Sequence, residues 1–215
     1  LLHSRPVMDA LLRIPLETTP AQVQRLLQLQ QGFAQLCNAL APLVQQTRVW
    51  NRVALHHLAY RQLREAFPQM GSQMVCNAIY SVSRTCRLVF QSPSSPLHLD
   101  KLGDRPLPLL RFGANSPVYF DRHTLSIKAG QLSMFTLDGR MRFELALAPE
   151  VQQRFAQQKL REVVLQQGQA SASGVPSFAL VFLLVDHQQE QDGASALPLP
   201  QPGELPEYVM VDEVV

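Results

Sequence analysis

The chain has 215 residues, 46% of them hydrophobic, and a formal net charge of +2. That length carries one large or two small domains with a sizeable core, and no apolar run approaches the roughly 18 residues of a membrane-spanning helix. The charge is divided by position: residues 1–165 hold 19 Lys and Arg against 10 Asp and Glu, whereas residues 166–215 hold 7 acids and no base.

Residues 1–99 carry nine arginines, no lysine and three acids. Guanidinium forks bind phosphate bidentately, so this bias suits a polyanion. A solvated basic face is the competing reading. The opening "LLHSRPVMDALL" has no signal-peptide pattern. Cys37, Cys76 and Cys86 lack metal spacing and read as reduced core thiols of a cytosolic protein.

"DALLRIPLE" (9–17) alternates and ends at a turn, which predicts a strand. "TTPAQVQRLLQLQQGFAQLCNAL" predicts a helix: Thr19 caps, Pro20 fits the first turn, and Val23, Leu26, Leu27, Phe33, Cys37 and Leu40 form a stripe. Its polar face is mostly glutamine, and Pro42 is expected to break or kink it. A second helix starts near Asn51, burying Leu55, Leu58, Ala59, Leu63, Ala66 and Phe67, with Arg52, Arg61 and Arg64 pointing elsewhere. A third is expected to be capped by Ser72, with Met74, Val75, Ala78, Ile79, Val82, Cys86 and Val89 at three- and four-residue spacing. Arg84 and Arg87 fall near its C-terminus, where the helix dipole favours cations.

Residues 91–108 are Pro/Ser-rich and read as a linker or long loop. The period then changes to two through "SPVYF", "TLSIKA", "QLSMFTL" and "RMRFELAL", separated by "DRH", "AG" and "DG". Asp138-Gly139 is a two-residue hairpin signal. A short helix (149–160), the strands "REVVLQQ" and "FALVFLLVD", a polar linker (187–206) and a last strand, "PEYVMVDEVV", complete the chain. A lone strand is unstable in water, so the strand at 9–17 is expected to pair with the later ones. The fold class this predicts is α+β: an antiparallel β-barrel with an inserted three-helix bundle. Its parts are residues 1–18 (first barrel strand), 19–92 (bundle), 93–186 (rest of the barrel), 187–206 (linker) and 207–215.

No Gly-x-Ser-x-Gly, P-loop or Gly-x-Gly-x-x-Gly motif is present. His56 and His57 are adjacent on a helix and point about 100° apart, so they do not face one ion. Asp121-Arg122-His123 reads as a turn, and Trp50 as a core plug rather than a base-stacking platform. Arg140 and Arg142 share one strand face, where they could track a nucleic-acid backbone; an exposed polar face is the alternative.

Three stretches in order resemble the N-terminal half of the TnpB family of transposon-encoded RNA-guided nucleases, relatives of the type V CRISPR effectors. They are "LRIPLETTPAQVQRLLQLQQGFAQLCN", "LHHLAYRQLREAFPQMGSQMVCNAIYSV" and "VYFDRHTLSIKAGQLSMFTLDGRMRFEL". The likeness spans roughly residues 9 to 186. It implies a wedge, OB-like barrel and a helical recognition bundle that hold a guide RNA and read a motif beside the DNA target, while the guide reads sequence by pairing. Ser72, Gln73 and Asn77 would then approach base edges. Arg52, Arg61, Arg64, Arg84 and Arg87 would bind nucleic acid from the bundle, and Arg122, Arg140 and Arg142 from the barrel.

The family continues into a RuvC-like nuclease whose acids hold divalent metal ions. Here Asp212 in "VMVDEVV" matches the place of the first acid, but Glu213 and Val214 stand where the family has an apolar residue and a glycine. The resemblance therefore implies a truncated RuvC-like strand at 207–215, no cleavage by this chain, no cofactor of its own, and a prokaryotic cytoplasmic setting. The partners are guide RNA, target DNA and a separate nuclease subunit, with no membrane. The alternative reading is a protein-interaction or adaptor domain, suggested by the glutamine face and the acidic, Pro-rich tail.

Overall fold

The computed structural model describes residues 10–186 and 195–212. The start of the expected first-strand segment, the first part of the 187–206 linker, and Glu213 and Val214 of the last strand lie outside the described residues. The class is α+β, with five α-helices and antiparallel sheets among the described residues. The chain divides into two compact units, one of Leu1–Leu27 with Tyr119–Pro198, the other of Gln28–Val118 with Leu199–Val215.

In the first unit, β1 (Leu11–Leu16) pairs antiparallel with β8 (Phe178–Val185), as expected for a strand that needs a distant partner. The sheet order is β1-β8-β7-β3, with β7 at Lys159–Gln167 and β3 at Val118–Phe120. "FALVFLLV" is apolar throughout because β8 lies between two strands and is buried on both faces. Phe182 meets Phe155 of α5 (Pro149–Gln157) edge to face at 5.1 Å. A bulge between Leu160 and Glu162 interrupts β7. The buried Glu162 carboxylate beside it accepts from the Ala196 N–H (2.9 Å) and the Ser195 hydroxyl (3.1 Å), which fastens the segment arriving at 195.

A second sheet of this unit is the meander β4 (Leu125–Lys128), β5 (Gln131–Thr136) and β6 (Gly139–Glu144). The β4–β5 loop is Ala129-Gly130, both at positive φ, 51° and 78°. The β5–β6 loop corrects the sequence reading: Leu137-Asp138 makes the turn, and Gly139 at φ 107° already opens β6 opposite Thr136. The register slides by one pleat, which leaves Arg140 and Arg142 on the same face.

The first long helix, α1, runs from Pro20 to Thr47 and is divided between the units. Its start is a reciprocal box: the Gln22 N–H donates to Thr19 Oγ1 (3.2 Å), and the Thr19 N–H to Gln22 Oε1 (2.9 Å). Of the break or kink expected at Pro42, the break does not occur. The helix stops only after Thr47, at Arg48 with φ 56°.

In the second unit, α2 (Arg52–Ala66) is capped by Asn51, whose Oδ1 accepts from the Val53 and Ala54 N–H groups. Only Leu55, Ala59 and Leu63 of its expected face are buried; Leu58 is 49% exposed and Ala66 is exposed as well. α3 (Gly71–Cys86) begins one residue before Ser72, after a 3-10 turn at Pro68–Met70, and carries no side-chain cap. It continues into a π-helical turn, Arg87–Gln91. Phe33, Leu36, Leu40, Leu55, Met74, Ile79 and Phe90 fill the core, and Trp50 packs its ring 5.3 Å from Phe90, the plug expected of it.

The stretch read as a loop at 91–108 includes a one-turn helix, α4 (Leu99–Leu102). Just beyond it, "LLRF" forms β2 (Leu109–Phe112), a strand not anticipated from sequence. Its partner is β9 (Val209–Asp212), so the last strand is not an orphan. Along α1, the Gln30, Asn38 and Gln45 amides recur every two turns and bond to the segment 107–116. Gln30 donates to the Ser116 carbonyl (3.2 Å) and Gln45 to that of Leu107 (3.2 Å). Asn38 donates to the Phe112 carbonyl (3.0 Å) and accepts from its N–H (2.8 Å), doing for β2 what a neighbouring strand would do. Part of the glutamine face is thereby spent inside the unit.

Candidate nucleic-acid interface

The meander β4-β5-β6 is buried on one face only. Leu125, Leu132, Met134, Met141 and Phe143 point into the core, and the alternate residues face solvent. The register aligns the outer face into rows across the strands: Ser126–Ser133–Arg142, and Lys128–Gln131–Glu144. A concavity of about 280 Å³ opens over both rows, lined by Ser126, Lys128, Ser133 and Arg142 among others. Two cations and two hydroxyls, donors suited to a phosphate oxygen, line it together with the Glu144 carboxylate at the end of the second row.

The two arginines of β6 differ in their surroundings. Arg140 donates Nε–H to Ser133 Oγ (2.7 Å), Nη2–H to the Ser133 carbonyl (3.0 Å) and Nη1–H to the His123 carbonyl (3.3 Å). It ties β6 to β5 and to the turn that carries Arg122. Arg142 is exposed, and its guanidinium makes no such bonds to the described residues. Arg122 is exposed in a turn closed by Asp121, whose Oδ1 accepts from the His123 and Thr124 N–H groups and from the Thr124 hydroxyl. Arg25 of α1 pins the second hairpin, donating to Thr136 Oγ1 (2.7 Å) and the Gly139 carbonyl (3.3 Å).

In the second unit, Arg61 and Arg87 are exposed, and the exposed Arg52 lies over the Tyr80 ring at 5.6 Å. Arg64 is half-buried. Ser72 and Gln73 lie half-buried in the first turn of α3. Two expected contact residues do not present their side chains to solvent. Asn77 is 8% exposed with its amide directed at Met74 Sδ (3.6 Å), and Arg84 is 9% exposed. Both fall on the inward side of α3, whose register was not fixed by periodicity alone. Asp212 pairs with Arg111, Oδ1 to Nη2 at 3.0 Å, both side chains about half exposed. Among the described residues, no three His, Cys, Asp or Glu side chains gather as a metal site. His56 stacks on Tyr60 at 4.6 Å.

Sequence reasoning missed Ser126, Lys128 and Ser133. The signal was available: a two-residue loop at Ala129-Gly130 sets Lys128 opposite Gln131 and Ser126 opposite Ser133. In the core of the second unit, the thiols of Cys37 and Cys86 are each pushed up to about 12 by burial. Burial raises the Tyr208 hydroxyl to about 12 too, against a hydrogen bond with Thr85 (2.9 Å) that lowers it. No protein-family model matches this chain, and no curated protein matches it.

Proposed function

We propose that this chain is an RNA-binding module of a TnpB-like, RNA-guided system, which holds a guide RNA, contacts target DNA and does not itself cleave. The observation that carries the reading is the row Ser126–Ser133–Arg142 beside Lys128 on an otherwise solvated sheet face. Hydroxyls and cations at strand spacing suit a backbone contact rather than a base-edge contact. In this reading the two sheets of the first unit correspond to a wedge-like barrel, and α1–α3 to a recognition bundle. Arg52, Arg61 and Arg87 supply further cationic surface, and Asp212 is a remnant acid engaged by Arg111.

The decisive measurement is affinity for a structured RNA transcribed beside the gene, as a function of potassium chloride. Several phosphate contacts give a log–log slope of several units. A slope near zero removes the reading. The adaptor alternative drew on the glutamine face of α1, and three amides of that helix now have partners within the second unit. Protein that purifies free of RNA, with a stoichiometric protein partner, would restore it.

A further inference from the structure

Arg142 stands between two concavities of different character. The second, about 450 Å³, shares Arg142, Phe143 and Glu144 with the first, but its remaining walls are Ile14 and Pro15 of β1, Glu17, and Leu145 to Leu147 beyond β6. Glu144 lies at the edge of both concavities, and Glu17 adds a second carboxylate to this one only. They repel a backbone, and they accept hydrogen bonds from a donor held between apolar walls. The volume is ample for one nucleobase.

Resting on the RNA reading above, we propose that this concavity takes the base of an unpaired guanine nucleotide whose phosphate lies against Arg142. Apolar walls beside a polar rim fit a base turned out of a single strand. Guanine alone among the four presents two parallel donors, N1–H and N2–H, on its pairing edge, and a carboxylate accepts both with its two oxygens. Adenine and cytosine offer one amino donor beside a ring acceptor that would face the carboxylate. Uracil sets its single N–H between two carbonyls.

The test is fluorescence anisotropy of the full chain with labelled pentamers UUGUU, UUAUU and UUUUU at one salt concentration. UUGUU is expected to bind about fivefold or more tightly than either other pentamer, the low end of one bidentate base contact. Glu17→Gln combined with Glu144→Gln, two surface changes, is expected to bring that ratio close to one. Equal binding of all three overturns the guanine site while leaving the RNA reading intact, and so does UUAUU matching UUGUU, which would show stacking alone. If structured RNA binds but no pentamer does, the unpaired-nucleotide site is likewise overturned. If neither binds, the RNA reading fails with it.

Discussion

Ala129 holds φ 51° in the loop joining β4 and β5, a conformation in which an L side chain with a Cβ crowds its own carbonyl. Asparagine tolerates that region better, and A129N would also create the Asn-Gly pair preferred in this kind of turn. The substitution is expected to stabilise the chain by about 0.5–1 kcal/mol in urea unfolding. Asn38 tests the opposite sign. Asn38→Ala leaves both the N–H and the carbonyl of Phe112 without their partner and is expected to cost about 2 kcal/mol. The exposed Gln46→Ala should cost almost nothing by the same measurement. Asn38 was legible as a helical residue, but not as the partner of a strand far along the chain, because nothing local encodes that contact.

Among elements, the β4-β5-β6 meander separates two roles that the sequence set side by side. Arg142→Ala is expected to lower the salt slope of RNA binding by about one unit while leaving the unfolding midpoint nearly unchanged. Arg140→Ala removes bonds to Ser133 and His123 and should lower stability by about 1 kcal/mol, with a smaller change in slope. If both variants change the slope equally, Arg140 is a contact and not a brace. The elements legible beforehand were those with local signals: the Thr19 start, the helix beginning near Asn51, the Asp121 turn and the pairing need of β1. The helix persisting through Pro42 and the strand at Leu109 were not, since tertiary packing along α1 supports both. Arg84 and Asn77 were misplaced for a related reason: an amphipathic period gives a face but not which flanking polar residue is drawn inward.

For the whole molecule, alkaline stability follows from the buried thiols. Cys37 and Cys86 are neutral when protonated and would ionise near 9.0 if unfolded, whereas the folded chain keeps their protons up to about 12. Between those values the unfolded chain loses its protons first. The stabilisation is therefore complete below pH 9 and declines as pH rises, by up to about 1.4 kcal/mol per pH unit for each thiol. Urea midpoints at pH 8 and pH 10.5 check this, and replacing both cysteines by alanine should flatten the decline even though it lowers stability at pH 8.

The pairing of β2 with β9 has a consequence for how the chain is made. Residues 109–112 leave the ribosome long before residues 209–212, and β1 waits in the same way for β8. The helices can form on local contacts within microseconds, but a newly made strand near position 110 has the Asn38 amide at one edge and must wait for β9 at the other. Both units therefore close late, a high-contact-order topology that folds slowly and keeps apolar strand edges open during synthesis. Expression at lowered temperature, or with chaperones that bind extended segments, should raise the soluble yield more than any change to the helices.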